Sequence, residues 1–260
     1  MRKLLITGAA GYLGRELVRR SPGPVRATYF SQPVDLPAEW VQADVRELDP
    51  SLLDGVDAVI HTAYRQGEDE WSTNVDGSAT VARAARGLRL VHLSTDLVFD
   101  GQCGRYREDD PIAPVGSYGE SKAEAERLVA ALHGSPLIVR TSLLYGGSVP
   151  GPQERLAREG TRFYVDEMRS PVHAGDLADA LLELVALDVT GPLHVAGADD
   201  VSRYDFAKLL GAGEVETANT PPGRAPDVTL DSSRAQSLLR TRLRGVYETL
   251  SNDPKRSSCT

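Results

Sequence analysis

The stretch Lys3-Leu4-Leu5-Ile6-Thr7-Gly8-Ala9-Ala10-Gly11-Tyr12-Leu13-Gly14 joins a short apolar run to the start of an amphipathic segment. Its glycines are spaced three residues apart, between a predicted strand and a predicted helix. Glycine permits backbone conformations that a Cβ forbids, and a helix N-terminus offers free N–H groups to a phosphate. The stretch therefore predicts a turn that binds the pyrophosphate of a dinucleotide, through Gly8, Gly11, Tyr12, Leu13 and Gly14. A tight turn without a ligand is the alternative that the glycines alone leave open.

The rest of the chain repeats this alternation of apolar runs and amphipathic segments. Strands are predicted over residues 3–7, 25–30, 40–42, 58–62, 89–94, 137–141 and 193–196, and helices over 12–20, 74–86, 117–133 and 175–187. Near-continuous apolar runs such as Asp57-Ala58-Val59-Ile60-His61 are typical of parallel strands that are buried on both faces. The pattern predicts an α/β fold, a Rossmann-type doubly wound parallel sheet with a small C-terminal substrate-binding lobe.

The predicted domain boundaries follow the places where this alternation weakens. We expect residues 1–147 to form the dinucleotide-binding domain, to which 171–198 return. Residues 148–170 and 199–250 are expected to form the small lobe, and 251–260 a disordered tail.

The composition excludes several classes of function. With 260 residues and a formal net charge of −8, the chain lacks the basic surface that a nucleic-acid partner requires. Its first apolar run is too short for a signal sequence or a membrane span, so we expect a cytoplasmic protein with no membrane partner. Cys103 and Cys259 do not form a disulfide or metal pattern. His61, His92 and His173 lack companions at ligand spacing, so we interpret them as core histidines and predict no metal site.

The second predicted strand ends without the carboxylate that usually binds the adenosine ribose, roughly 20 residues after the glycines. It runs into Tyr29-Phe30-Ser31, and Asp35 follows only after a proline. With Ser31 at this position and Arg15 next to the last glycine, a ribose 2′-phosphate meets less repulsion. We therefore predict a preference for NADPH, with NADH as the alternative cofactor.

The pattern Tyr-x-x-x-Lys occurs twice, as Tyr118 with Lys122 and as Tyr204 with Lys208. Residues four apart share a helix face, and an ammonium group beside a phenol lowers the pKa of the phenol. Such a phenol can serve as a general acid towards a ketone or as a general base towards an alcohol. Only the first pair follows a predicted strand that ends in a hydroxyl, Thr95, where a parallel sheet binds its ligands. We predict that Thr95, Tyr118 and Lys122 are catalytic and interpret the second pair as a surface pair.

Together these residues resemble the extended short-chain dehydrogenase/reductases, and within them the dTDP-4-dehydrorhamnose reductase-like branch. The resemblance covers most of the chain and rests on the segments 7–17, 74–77, 94–101, 117–122, 140–146, 170–178 and 224–231. It implies that a keto group is reduced by hydride from NAD(P)H, with Tyr118 delivering the proton and Thr95 bonding the developing oxyanion.

The resemblance also implies contacts of individual residues. Lys122 is expected to hold the nicotinamide ribose. Further cofactor contacts are expected at Asp44 and Val45 near the adenine, at Thr62 and Ala63 on the pyrophosphate side, and at Thr141 and Ser142 beside the nicotinamide. Substrate contacts are expected at Thr95, Asp96 and Leu143, and Arg224 is expected to pair with a substrate phosphate. A homodimer is common in the family.

This chain departs from the branch mainly in its substrate half. Leu97 stands where the branch usually has Tyr, Leu143 where it usually has Trp, and Ala225 where it has a proline. We therefore predict a small-molecule substrate such as a nucleotide-linked 4-keto sugar, without assigning dTDP-4-dehydrorhamnose itself. Two alternatives stay open: a reductase of a small natural-product ketone and a non-catalytic nucleotide-binding regulatory subunit.

Overall fold

Helices and strands alternate along most of the part of the chain that the structure, a computed structural model, describes, residues 2–251. The strands are β1 (Leu4–Thr7), β2 (Val25–Tyr29), β3 (Glu39–Gln42), β4 (Ala58–His61), β5 (Arg89–Thr95), β6 (Leu137–Thr141), β7 (Leu144–Tyr145), β8 (Arg162–Tyr164), β9 (Met168–Arg169), β10 (Val172–His173), β11 (Gly191–His194), β12 (Val201–Ser202) and β13 (Glu216–Ala218). The α-helices are α1 (Tyr12–Arg20), α2 (Ser78–Ala84), α3 (Ser117–His133), α4 (Pro152–Glu159), α5 (Ala174–Leu184), α6 (Arg203–Leu209), α7 (Ser233–Leu238) and α8 (Val246–Ser251). Short 3₁₀ turns cover Val45–Glu47, Pro50–Leu53 and Asp96–Val98.

The central sheet has seven parallel strands in the order β3-β2-β1-β4-β5-β6-β11. Strands β1, β4 and β6 are buried along their whole length, because α1 and α5 cover one face of the sheet and α2 and α3 the other. The strand order reverses between β1 and β4, where the carboxyl ends of the strands leave a crevice for a ligand. The predicted Rossmann-type fold is confirmed.

The predicted element boundaries agree with the structure to within a few residues, and α1, α3 and β6 begin and end where predicted. The helix predicted over 74–86 differs in kind, because a π-helical turn, Ser72–Gly77, precedes α2. The Asn74 side chain in this turn donates to Ser121 Oγ (3.0 Å) and to the Arg65 carbonyl oxygen (2.9 Å). These bonds attach the turn to α3 and to the segment that follows β4.

Three two-stranded sheets lie outside the central sheet: β7 with β10, β8 with β13 and β9 with β12. A separate apolar cluster that includes Tyr145, Phe163 and Phe206 packs among them and their neighbouring helices. The division into a dinucleotide-binding domain and a small lobe stays an interpretation. Helix α8 includes Ser251, the first residue of the segment predicted to be disordered, and residues 252–260 lie outside the described residues.

The described residues also bear on membranes and metals. Between residues 2 and 251, no helix combines the length and the apolar character needed to cross a bilayer. Over the same residues, no group of three or more His, Cys, Asp or Glu side chains is arranged to hold a metal ion.

Candidate active site

The glycine turn between β1 and α1 brings three segments of backbone into close contact. Gly8 has a φ of +68°, and a Cβ there would lie 2.7 Å from the Ala63 backbone nitrogen. A Cβ on Gly14 would overlap the Gly8 carbonyl oxygen. Gly11, the N-cap residue of α1, has no side chain to cap the first N–H groups of the helix, so these groups are free for an anion. The turn therefore fits the pyrophosphate of a dinucleotide.

Two adjoining cavities open at the carboxyl edge of the sheet, with volumes of about 210 Å³ and about 400 Å³. We call the smaller one, around the end of β5, the β5 cavity, and the larger one, around the end of β2, the β2 cavity. Both walls include Gly8, Gly11, Thr62 and Tyr64, so the cavities meet at the glycine turn. An elongated ligand that lies across the turn therefore reaches both.

Most residues predicted from the sequence line one of these cavities. The β5 cavity is lined by Gly8, Gly11, Tyr12, Leu13, Gly14, Thr62, Thr95, Asp96, Tyr118, Lys122, Thr141, Ser142 and Leu143. The β2 cavity is lined by Ser31, Asp44, Val45, Thr62 and Ala63, among others. The structure thus brings the three predicted catalytic residues together at one end of the crevice and the predicted adenine contacts at the other.

Thr95 is the last residue of β5, and its hydroxyl is fixed by its neighbours. Its Oγ1 accepts a hydrogen bond from the Leu97 backbone N–H (3.2 Å) and donates to Asp96 Oδ1 (3.0 Å). Ser142 Oγ donates to the other carboxylate oxygen of Asp96 (2.6 Å). Burial raises the pKa of the Asp96 carboxyl, against the opposing effect of the Arg169 guanidinium and of these hydrogen bonds.

Tyr118 and Lys122 are presented by the first turns of α3, which packs close to the end of β5. This approach requires Gly119, because a Cβ there would overlap the Leu97 carbonyl oxygen. Ser121 Oγ donates to the Tyr118 carbonyl oxygen (2.9 Å). Lys122 Nζ donates to the Leu93 carbonyl oxygen (2.7 Å). The helix therefore holds both side chains against the end of the strand that carries the hydroxyl.

The pKa values of this pair differ from the sequence-based expectation. Burial lowers the pKa of the buried Lys122 ammonium to about 8, so the group is still mostly charged at neutral pH. Burial raises the pKa of the Tyr118 phenol, and Tyr64 and Asp96 raise it further. The expectation that Lys122 lowers the pKa of Tyr118 is wrong for this arrangement, because the ammonium faces the Leu93 carbonyl and burial dominates. Tyr118 is a neutral phenol that can donate a proton.

Two predicted arginines do not reach the cavity walls. Arg15 Nε donates to the Ala10 carbonyl oxygen (2.9 Å), and Arg15 lines neither cavity. Arg224 makes a bidentate pair with Glu167, both bonds 3.0 Å, stacks over the Tyr164 ring and lines neither cavity. In both cases the chain position suggested a ligand contact, and a local partner takes the side chain instead.

Other basic residues, which the sequence patterns did not identify, line the cavities. Arg46 and Arg65 line the β2 cavity, and Arg169 lines the β5 cavity. Arg46 forms an ion pair with Asp44 in the same wall (2.5 Å). Arg65 could have been predicted as a cavity residue, because it follows β4 at the carboxyl edge of the sheet, where ligands bind. Arg169 had none, because it belongs to a short strand outside the main sheet.

Arg169 belongs to a buried cluster of charges beside the β5 cavity. Glu167 is 2% exposed and binds the guanidinium groups of Arg169 (3.0 Å) and Arg224 (2.9 Å), with Arg203 at 3.9 Å. Arg203 also donates to Gln153 in the cavity wall (2.7 Å). Burial lowers the pKa of Arg203 to about 10, which leaves it charged at neutral pH. The guanidinium groups of Arg169, Arg203 and Arg224 outnumber the carboxyl groups of Glu167 and Asp96, so this side of the cavity is positively charged.

The three histidines singled out in the sequence make packing contacts and hydrogen bonds within the fold. His61 and His92 are buried with ring centroids 5.2 Å apart, and His61 Nδ1 shares a hydrogen bond with Thr7 Oγ1 (2.6 Å). Burial lowers the pKa of His61 to about 3, so it stays neutral. His173 packs edge-on against the Tyr145 ring, with centroids 5.7 Å apart.

The second Tyr-x-x-x-Lys pair lies on α6, and neither of its residues lines the β5 cavity or the β2 cavity. Lys208 Nζ donates to the carbonyl oxygens of Ala212 (3.2 Å) and Gly213 (2.8 Å), just past the end of its own helix. The pair therefore has a local structural role.

The switch-point crevice, the glycine turn and the hydroxyl, phenol and ammonium groups of the β5 cavity define an NAD(P)-dependent oxidoreductase of the extended short-chain dehydrogenase/reductase class. The profile of the RmlD substrate binding domain matches residues 1–235. The chain belongs to this family.

Relatives of known name support the same conclusion. A dTDP-4-dehydrorhamnose reductase of Aggregatibacter actinomycetemcomitans is 34% identical over 80% of this chain and 77% of its own. A probable dTDP-4,6-dihydroxy-2-methyloxan-3-one 4-ketoreductase of Streptomyces antibioticus is 33% identical over 96% of this chain and 86% of its own. The crystal structure of a hypothetical dTDP-4-dehydrorhamnose reductase from Sulfolobus tokodaii has a TM-score of 0.79 at 32% identity, covering 94% of this chain and 97% of that one.

Proposed function

We propose that the chain reduces the 4-keto group of a nucleotide-linked sugar, with NADPH as the preferred reductant. The observation that carries the proposal is the β5 cavity, in which Thr95, Tyr118 and Lys122 meet beside the positively charged Arg169. Relatives named as reductases of dTDP-linked keto sugars support this substrate class. The test is to supply NADPH with a panel of nucleotide-linked 4-keto sugars and of small ketones, and to identify the alcohol that forms. Turnover of small ketones alone would contradict the proposed substrate class.

The proposed roles follow from the state of each group. The dinucleotide, when bound, supplies the hydride that the keto carbon receives. Tyr118 donates its phenolic proton to the keto oxygen, because burial keeps the phenol protonated at neutral pH. The Thr95 hydroxyl bonds the oxygen while negative charge develops on it. Lys122, which lies on α3 with Tyr118 and is still mostly charged at neutral pH, would hold the nicotinamide ribose.

Arg169 is proposed to receive the phosphates of the substrate. It lines the β5 cavity, whereas its neighbour Arg224 lines neither cavity. Leu97 and Leu143 supply an aliphatic wall where the family's dTDP-4-dehydrorhamnose reductase-like branch usually has aromatic rings.

Arg169→Ala is expected to raise the KM for a nucleotide-linked keto sugar by roughly 10- to 100-fold, the value of one charge-assisted hydrogen bond, without lowering kcat for reduction. Glu167 keeps its bond to Arg224 in this variant, so no buried carboxylate is left unpaired. Steady-state kinetics measure the effect, and Arg162→Ala is the matched control, since that arginine pairs with Glu216 at the surface (2.7 Å). An unchanged KM, or a loss confined to kcat, would refute the phosphate contact.

The β2 cavity is proposed to favour NADPH. Within residues 2–251, Asp44 is the one carboxylate in its wall, and Arg46 neutralises it, while Arg65 adds positive charge. Ser31→Asp is expected to raise the KM for NADPH about tenfold or more and to change the KM for NADH much less, because the new carboxylate repels the 2′-phosphate. Ser31→Asn, similar in size but uncharged, is the control. Equal effects of both variants on NADPH would argue against the assignment.

A further inference from the structure

Asp96 is a buried carboxyl group, 3% exposed, in the wall of the β5 cavity, and the proposed reaction does not use it. Its two oxygens accept hydrogen bonds from the hydroxyls of Thr95 (3.0 Å) and Ser142 (2.6 Å). Thr95 Oγ1 also accepts from the Leu97 N–H (3.2 Å). Because a hydroxyl has only one proton to donate, the Thr95 proton is committed to Asp96 in this arrangement. It is not available to a substrate.

Reduction of a ketone requires the opposite direction of this hydrogen bond. Negative charge develops on the keto oxygen, and only a donor stabilises it. Thr95 can donate to that oxygen when Asp96 carries a proton and donates it to Thr95 Oγ1. In the reverse reaction the alcohol of the substrate is a donor, and Thr95 can accept from it while its own proton bonds the Asp96 carboxylate.

The charged and titratable groups around Asp96 come from several elements. The guanidinium groups of Arg169 on β9 and Arg203 on α6 favour the carboxylate, as do the hydroxyls of Thr95 and Ser142. Tyr118 on α3 is a neutral phenol near Asp96, and the negative charge of Asp96 raises the pKa of this phenol. Burial opposes these groups and raises the pKa of Asp96. The protonated form of Asp96 therefore becomes accessible as pH falls.

We propose that Asp96 is a positioning residue that sets the direction in which Thr95 donates: the protonated form supports reduction of the ketone, and the ionised form supports oxidation of the alcohol. The inference rests on the roles proposed above for Thr95 and Tyr118. No proton is lost from Asp96 during turnover. The hydride and the phenolic proton of Tyr118 complete the alcohol, and the hydrogen bond from protonated Asp96 to Thr95 keeps its direction throughout the step.

Asp96→Asn tests this directly, because an amide makes similar hydrogen bonds but does not titrate. The ratio of the reduction rate of D96N to that of the wild type is expected to be constant at low pH and then to rise by about tenfold per pH unit above the pKa of Asp96. The measurement is the rate of the reduction step at saturating NADPH between about pH 5 and about pH 9. The titration of Lys122 is common to both proteins and cancels in the ratio. A ratio that stays flat across the pH range in which the carboxylic acid band of Asp96 disappears from the infrared spectrum would overturn the proposal.

The double variant distinguishes action through Thr95 from a general structural effect. Thr95→Val is expected to lower the reduction rate about 10²- to 10³-fold, the loss typical of one oxyanion donor. In that background, D96N should cause no pH-dependent change, because the group that Asp96 orients is gone. A pH-dependent effect of D96N that persists beside T95V would overturn the proposal. Full activity of T95V would instead overturn the proposed role of Thr95, and this inference with it.

Two further measurements test the protonation of Asp96 without relying on the rate ratio of D96N to the wild type. Ser142→Ala removes one hydrogen-bond donor to the Asp96 carboxylate and so raises the pKa of Asp96. Reduction by this variant should therefore begin to fall at a higher pH than reduction by the wild type. An infrared titration of the NADPH-bound protein should show the band of a protonated carboxylic acid disappearing over the pH range in which reduction falls. That band should be absent from D96N. A titration in which no such band is present where reduction is fastest would overturn the proposal.

Discussion

Tyr118→Phe is expected to lower the rate of keto-group reduction by about 10²- to 10⁴-fold, the usual contribution of a positioned general acid. The phenylalanine keeps the ring in its place beside Tyr64, with centroids 6.1 Å apart in the wild type, and removes only the proton donor. NADPH binding should be unchanged, because the hydroxyl is not part of the glycine turn. Single-turnover oxidation of bound NADPH by a nucleotide-linked keto sugar measures the rate.

The chain provides its own control for this variant. Tyr204 stands four residues before Lys208, the same spacing as in the first pair, but it lines neither cavity. Tyr204→Phe should therefore leave the reduction rate close to that of the wild type. Similar losses in both variants, or a Y118F protein with nearly full activity, would contradict the assignment of Tyr118 as the proton donor.

Glu126→Ala is expected to lower the free energy of unfolding by about 3–5 kcal/mol, because it leaves a buried guanidinium without its carboxylate. Arg140 on β6 and Glu126 on α3 have side chains that are 3% and 4% exposed and lie 2.9 Å apart at their closest atoms. Arg140 keeps its bond to the Glu108 carbonyl oxygen (3.2 Å) and its position over the Phe99 ring, neither of which neutralises its charge. Urea denaturation measures the loss.

The same helix carries an exposed pair for comparison. Glu124 binds Arg127 at 2.6 Å, with side chains that are 31% and 64% exposed. Exposed pairs contribute about 0–1 kcal/mol, so Glu124→Ala should reduce stability by no more than this. Equal losses from E124A and E126A would show that the buried pair is not what joins α3 to β6.

The sequence was sufficient to predict a site residue where the local backbone requires a particular residue type. Gly8 and Gly14 can be identified without a structure, because the left-handed φ and the close contact at the turn exclude any Cβ. Thr95 could be placed because the carboxyl ends of parallel strands meet at one edge of the sheet. Such rules refer to a strand and its immediate continuation, so they identified the glycine turn and the end of β5 but not the remaining cavity walls.

The sequence was insufficient to predict the hydrogen-bond or ion-pair partner of a side chain where several distant segments offer one. Arg224 was predicted to contact the substrate and Arg169 was not, yet Glu167 binds both arginines and only Arg169 lines the β5 cavity. Asp96 was predicted to contact the substrate, but its carboxylate bonds Ser142, which is 46 residues away. Likewise, the helical spacing placed Lys122 over Tyr118, whereas the ammonium donates to the Leu93 carbonyl. Only three-dimensional packing decides between such partners.

The most direct test of the proposed function is to follow the hydride itself. NADPH carrying deuterium at either face of nicotinamide C4 is incubated with the wild-type protein and a nucleotide-linked 4-keto-6-deoxy sugar, and the product is analysed by NMR and mass spectrometry. We expect one of the two labelled cofactors to deliver its deuterium to C4 of the sugar, in step with NADPH oxidation, and Y118F to slow this transfer by about 10²- to 10⁴-fold. Tight NADPH binding without transfer of deuterium to any keto sugar would contradict the proposed reductase and favour a nucleotide-binding regulatory subunit.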